Sequence, residues 1–359
     1  MIMGLHGSRY SHMFQGGRMA AKHNKLIQRQ KIMDRVLIAL IPCAAGAVYY
    51  FGWYCLFIIL LANAAGFVTE YLFARKQGKP VSQAVFVTGT LFALVMPPSV
   101  PWYVAVIGMV FAVMFGKMVF GGFGKNVFNP AISGRAFVYV CFPLALTAAW
   151  PPPARGPFGA LDRWSTASAV DTVSGASVLA YLKTGQMSLD TETGSGSLPY
   201  GLDRNEQKTV RPSALLKGLL FGRISGTMGV TGVILICIGG IYLFVTKAAN
   251  RTLILSVIIT YAFWSELLFR LGVAPVPGAW PAVLGGGFLF GAFFMVTDPV
   301  SAPNTGPAKI MYGILIGTST MIIKNFSIFN GGLMFSILIG NMFAPTFDTV
   351  VNLYRSRKK

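Results

Sequence analysis

The sequence predicts an all-α polytopic membrane protein, about ten transmembrane helices arranged as two inverted five-helix repeats with broken half-helices. Three observations predict it. Of the 359 residues, 54% are hydrophobic and only 11% are charged, against about 25% charged in ordinary soluble domains. The mean hydropathy is +0.61, and a soluble globule of this size cannot hide that much apolar surface. The apolar residues fall in ten runs, each able to cross or nearly cross a hydrocarbon core of about 30 Å. A proline-broken pattern also occurs twice, at matched spacing.

Residues 1–33 are polar and basic and lack the apolar core of a signal peptide. They read as a cytoplasmic tail, either a mobile arm on anionic lipid or a docking segment. The first repeat, 34–148, holds apolar runs at 34–51, 53–73, 82–97, 102–120 and 128–148. A polar stretch, 149–212, follows with six basic and six acidic residues. The second repeat, 213–350, holds runs at 226–246, 252–272, 280–297, 309–324 and 331–350, and residues 351–359 form a basic C-terminus. With the N-terminus inside, Arg75, Lys76, Lys79, Lys117, Lys125, Lys247, Arg251 and Lys309 fall at cytoplasmic ends, while the short outer loops keep little beyond Arg270 and Lys324. This positive-inside asymmetry places both termini in the cytoplasm and the 149–212 loop outside. It also accounts for the pI of about 10.0 without nucleic acid as a partner.

Five runs per half is an odd number, so related halves must be inverted. Phe92-Ala-Leu-Val-Met-Pro-Pro-Ser-Val-Pro101 is similar to Phe293-Phe-Met-Val-Thr-Asp-Pro-Val-Ser-Ala-Pro303. Pro98 precedes Asn129 by 31 residues, and Pro299 precedes Asn330 by the same 31. Proline lacks the N–H and stops a helix, so short Pro-ended runs in matching places predict half-helices.

The four cysteines (Cys43, Cys55, Cys141, Cys237) lie in apolar runs without C-x-x-C spacing, and His6, His12 and His23 all precede the membrane body. Bis-His haem and a zinc or iron–sulfur site built from this chain alone are thereby excluded. Among the acids, Asp34 and Glu70 lie near cytoplasmic ends, where water reaches them. Asp298 stands at a broken-helix site and Asp348 beside Ala344-Pro345; hard oxygen ligands there suit Na⁺. Gly121-Gly-Phe-Gly-Lys-Asn126 lacks the spacing of a phosphate loop, so Gly121-Gly122 and Gly285-Gly286-Gly287 read as close approach between helices. In the polar loop, Asp171-Thr-Val-Ser174-Gly175-Ala176-Ser177 presents a hydroxyl after two small residues, accessible to a modifying transferase.

Four stretches carry a family resemblance: Phe86–Pro98, Phe120–Phe137, Gly286–Ala302 and Met342–Asp348. The chain resembles the B subunit of the Na⁺-translocating NADH:quinone oxidoreductase and the D subunit of the Rnf complex. Arg135-Ala-Phe and Thr297-Asp-Pro-Val-Ser-Ala are closer to the B subunit, and the compact length is closer to the D subunit. The resemblance implies one subunit of a redox-driven Na⁺ or H⁺ pump in the bacterial inner membrane. It implies FMN joined by a phosphodiester bond to the hydroxyl of a S/T-G-A-T pattern, which falls here on Ser174, Gly175, Ala176 and Ser177, near Asp171. The attached residue is normally Thr; Ser177 offers the same nucleophilic oxygen. A flavin transferase would act on that loop, and a flavin-bearing extracytoplasmic subunit would deliver electrons to it. A second, non-covalent flavin (riboflavin) would pass them towards quinone, or between ferredoxin and NAD in an Rnf-type complex. The 75–83 loop is the candidate quinone site. Asp298 and Asp348 carry over as Na⁺-linked acids, and Gln83 stands where a third acid is expected. Two rivals stay open: a small-solute channel or carrier, resembling urea transporters and needing no flavin, and an assembly subunit without cofactor.

Overall fold

The computed structural model of the protein describes residues 26–147, 150–154, 156–166, 178–183, 185–196, 198, 207–327 and 331–357. The first half comprises β1 (Ile27–Gln28), α1 (Lys31–Phe51), α2 (Trp53–Lys76), β2 (Val81–Ser82), α3 (Ala84–Leu94), α4 (Trp102–Val113), α5 (Pro130–Cys141) and α6 (Pro143–Thr147). A π-helical turn, Met114–Met118, prolongs α4. The polar loop contributes α7 (Val178–Lys183), β3 (Met187–Leu189) and β4 (Lys208–Val210). The second half comprises α8 (Pro212–Leu220), α9 (Val233–Val245), α10 (Arg251–Arg270), α11 (Ala279–Leu284), α12 (Phe288–Phe290), α13 (Gly306–Phe326) and α14 (Gly332–Arg357). A second π-helical turn, Gly291–Met295, follows α12.

Helices α1, α2, α10, α13 and α14 are long and apolar enough to cross a membrane, and shorter apolar helices lie between them. This is the polytopic all-α membrane protein the composition predicts. Leu60 on α2 and Ile259 on α10 are each more than 60% exposed, as lipid-facing apolar side chains are. Three predicted runs are not single helices. The 128–148 run breaks at Phe142 because Pro143 cannot donate the next helical bond. The 226–246 run becomes helical only at Val233. The 280–297 run is interrupted at Gly285-Gly286-Gly287, where Gly286 (φ 61°) and Gly287 (φ 73°) are left-handed. At the other end of the chain, α14 continues past residue 350 to Arg357.

Packing repeats between the halves. Helix α2 packs on α3 and α4, and α4 on α5; in the second half α10 packs on α11 and α13, and α13 on α14. Helices α1 and α9 pack on each other across the halves. Arg35, in the first turn of α1, donates to the carbonyl of Thr246 at the end of α9, so the two run antiparallel, as inverted repeats require. One end of the bundle therefore carries the start of α1 and the end of α9 (the terminal end). The other carries the polar loop (the loop end). There the loop backbone is stitched to the α1–α2 turn: Trp53 and Tyr54 N–H donate to the carbonyls of Arg163 and Trp164 at 3.3 and 2.7 Å.

The α1–α9 seam depends on a missing side chain. A Cβ on Gly239 would lie 2.0 Å from the carbonyl oxygen of Ala39 and 3.0 Å from the Phe294 ring. Gly239→Val should therefore force the seam apart and destabilise the protein by about 1–3 kcal/mol. Thermal unfolding in detergent checks this against Gly306→Ala, where a Cβ meets nothing within 4 Å and no loss is expected.

Candidate functional site

A helix of 11 residues, such as α3, rises only about 16 Å. The chain must finish that crossing as irregular backbone, which hydrocarbon tolerates only when its polar groups are paired inside the protein. The two halves supply the pairs for each other. The carbonyls of Leu94 and Met96, at and just past the end of α3, accept from the N–H of Gly229 and Met228 in the turn before α9, at 2.8 and 3.0 Å. The carbonyl of Met295, at the end of the second π turn, accepts from the Asn129 side chain at 3.2 Å. Asn129 also caps α5, its Oδ1 accepting from the N–H of Ala131 and Ile132. The backbone N–H of Asn129 donates to Asn341 Oδ1 at 3.1 Å. Asn341 Nδ2 in turn donates to the Tyr312 hydroxyl at 2.7 Å and to the Ser301 carbonyl at 3.2 Å. Both asparagines are buried.

On the loop side of this layer lies a cavity of about 240 Å³ whose lining comes from both halves. Val95, Ile132, Phe288 and Phe290 supply apolar walls, and Arg135, Thr227 and Lys324 supply polar ones. Arg135 Nε and Thr227 Oγ1 are buried without a hydrogen-bond partner among the described residues. Lys324 Nζ donates to the carbonyls of Ala282 and Gly285 at 3.4 and 3.3 Å, a cation at the C-terminal end of the half-helix α11. It also sits 5.3 Å from the centre of the Tyr261 ring. A Cβ on Gly287 would lie 2.7 Å from Val230, so close approach and left-handed backbone coincide at this glycine. By contrast, Gly121, Gly122 and Gly124 are left-handed (φ 106°, 96° and 85°), and a Cβ on Gly122 or Gly124 meets nothing within 4 Å. That loop needs glycine for its backbone conformation, not for the helix contact expected from the sequence.

Asp171, Ser174, Gly175, Ala176 and Ser177 lie outside the described residues. Helix α7, however, begins at Val178, the next residue in the chain. Its last residue, Lys183, donates to the carbonyls of Lys324, at 3.1 Å, and Ser327. Partial burial pushes the Lys183 ammonium below the usual lysine pKa. Helix α7, six residues long, is thereby tied at its last residue to the backbone of Lys324, which lines the cavity.

On the terminal side lies a smaller cavity, about 60 Å³, lined by Lys117, Asn126, Asn129 and Asp298 among others. Asp298 accepts from the Ser301 hydroxyl at 2.7 Å and the Val300 N–H at 3.3 Å. Asp348 does not line it. Its two oxygens accept from the N–H of Asn304 and Thr305 and the Thr305 hydroxyl at 2.8–2.9 Å, holding the turn that leads into α13. Gln83 donates to Asp34 and accepts from Gln30 N–H at 2.7 Å. Asp34, from the first turn of α1, thus brings a carboxylate to the position where the sequence lacks one. The 75–83 loop is pinned by the parallel β1–β2 pairing.

Sequence reasoning missed several groups. Glu70 is not at a watery end: it is 3% exposed and bonded to Lys117. Lys117, Arg135 and Lys324 were legible only as charges within or beside apolar runs, the signal that marks costly intramembrane groups. The thiols of Cys43 and Cys55 are buried as expected, while Cys141 is exposed.

Residues 20–355 match the model of the NQR2, RnfD, RnfE family. The chain is 33% identical over 311 residues to the Na(+)-translocating NADH-quinone reductase B subunit of Chromohalobacter salexigens, covering 84% of this chain and 65% of that protein. It therefore spans just under two thirds of that relative's length. It is 31% identical over 331 residues to the D subunit of the ion-translocating oxidoreductase complex of Stutzerimonas stutzeri, covering 89% of this chain and 90% of the relative. The corresponding protein of Citrobacter koseri is 31% identical over 342 residues, 91% of this chain and 94% of its own.

Asn129 both caps α5 and satisfies the broken second half. Asn129→Ala removes a cap and orphans the Met295 carbonyl, and should destabilise the protein by about 1–3 kcal/mol, read as a lower thermal midpoint.

Proposed function

The chain belongs to the NQR2, RnfD, RnfE family, and from that premise we propose that it is the flavin-carrying membrane subunit of a redox-driven cation pump, an Nqr- or Rnf-type complex of the bacterial inner membrane. Both termini face the cytoplasm and the polar loop faces outward. The Ser177 hydroxyl carries FMN through a phosphodiester bond made by a flavin transferase. Electrons arrive from a flavin-bearing partner subunit and leave through a second, non-covalent flavin towards quinone, or towards ferredoxin/NAD chemistry in an Rnf-type assembly.

One observation carries this reading: the cavity between the halves is cationic on its polar side and lies beside the helix that starts after Ser177. A flavin supplies the ability to accept and release electrons singly or in pairs. What the chain supplies is placement and charge. Arg135, with an unpaired Nε, and Lys324 set two positive charges against any negative charge gained on reduction, in surroundings where such charges are weakly screened. Phe288, Phe290 and Val95 would keep water away from a flavin bound there. Thr227 offers a hydroxyl for an edge contact. Lys183 anchors α7, the helix that follows Ser177 in the chain, to the backbone of Lys324 and Ser327.

For quinone, the support is an apolar groove along α1, lined by Leu37, Ile38, Leu40, Ile41 and Ala44, with Asp34 among its polar groups. Asp34 bonds Gln83, the last residue of the 75–83 loop. For Na⁺, Asp298 is the better placed of the two acids, since it lines the small cavity and Asp348 does not.

In-gel fluorescence after SDS denaturation tests the tether. A fluorescent band in wild type that vanishes in Ser177→Ala is the expected result. No band in wild type, from cells that flavinylate a Thr-containing control, overturns it; a colourless native protein would then favour the small-solute carrier. Arg135→Leu should lower the flavin midpoint potential by on the order of 100 mV, the equivalent of about 2 kcal/mol, measured by spectroelectrochemistry.

A further inference from the structure

The terminal half of the bundle encloses three charged groups. Lys117 Nζ lies 2.6 Å from Glu70 Oε2, with side-chain exposures of 3% and 4%. Glu70 Oε1 accepts the Ser82 N–H at 2.9 Å, which fixes the carboxylate. Lys117 also lines the small cavity with Asp298, while Glu70 stands behind Lys117, off the lining. Glu70 bonds the ammonium from one side and Asp298 shares the cavity with it from the other; with both carboxylates ionised, one negative charge is uncompensated among apolar helices, where an unpaired charge is costly. A cavity of about 60 Å³ has the volume of about two waters, enough for one small ion with part of its shell.

The helical geometry at these groups differs from the rest of the bundle. Lys117 sits within the π turn Met114–Met118, and Asp298 follows the π turn Gly291–Met295 by three residues. Each half thus brings one irregular turn to the same cavity. Such turns are rare and recur at functional sites.

We propose that Glu70, Lys117 and Asp298 form a buried monovalent-cation site in which the Lys117 ammonium competes with the incoming ion for the two carboxylates. This deepens the cation-pump reading and rests on it for the purpose of the site. The ion takes the place that Lys117 vacates. Lys117 in turn pairs with either Glu70 of the first half or Asp298 of the second, so occupancy is coupled to the contact between the halves. A divalent ion would leave an excess of positive charge, which is why a monovalent hard cation fits.

The test is a thermal-shift titration of the complex purified through a tag on this chain, with NaCl replacing choline chloride at constant ionic strength. Lys117→Met leaves both carboxylates for the ion and should lower the half-saturating Na⁺ concentration at least tenfold relative to wild type. Glu70→Gln lets Lys117 neutralise Asp298 alone and should raise it at least tenfold. Equal midpoints in all three proteins, a flat titration in all three, or equal losses of stability without a shift each overturn the proposal. Should Lys117→Met fail to fold, an unchanged midpoint in Glu70→Gln overturns it alone. Opposite midpoint shifts in a protein without flavin keep the site and reject the redox reading. Bound flavin with unmoved midpoints does the reverse.

Discussion

Backbone amides in hydrocarbon have no water to turn to, and the architecture follows from that constraint. Helices α3, α11 and α12 are too short to cross, so the chain between them and their neighbours must find partners within the protein. It finds them across the repeat boundary. The turn before α9 satisfies the end of α3, and Asn129 and Asn341 satisfy the breaks of the second half. The halves therefore cannot be separated without orphaning polar groups in both, and the interior that results is the one place in the bundle where irregular backbone, cavities and charge coexist.

Charge follows the same logic. Arg135, Lys324, Lys117, Glu70 and Asp298 would each be costly against lipid; four of them line the cavities between the halves, and Glu70 is bonded to one of those four, Lys117. The loop-side cavity gathers positive charge beside the segment that follows Ser177. The terminal-side cavity is lined by one ammonium, Lys117, and one carboxylate, Asp298, with Glu70 bonded to that ammonium from behind the lining. One layer of paired backbone separates them, so a change in packing at Asn129 and Asn341 would be felt on both sides. That arrangement suits a protein whose proposed work couples an electron on one side to a cation on the other.

Much of this was legible in the chain. The apolar runs, the Pro98–Asn129 and Pro299–Asn330 spacing, and Asp298 at a break were all readable, because hydropathy and proline act locally. The partnerships of Glu70 and Asp348 were not. Glu70 reads as a watery end residue in the sequence, yet Lys117, 47 residues on, lies against it. Asp348 reads as an ion ligand, yet its oxygens hold Asn304 and Thr305. Gln83 reads as a missing acid, yet Asp34, 49 residues earlier, stands beside it. No local pattern encodes these contacts, since each joins elements that meet only when the bundle closes.

Composition and motif spacing are properties of the chain alone. They suffice to predict that this chain lives in a membrane, that its halves are related and broken, and to which family it is similar. Other outcomes emerge only in the closed bundle: which charges are buried together, which glycines serve a left-handed turn and which a close approach, and where the cavities lie. Those depend on which faces of the two halves meet, and that is fixed by the pairing of backbone groups to which hydrocarbon leaves no alternative.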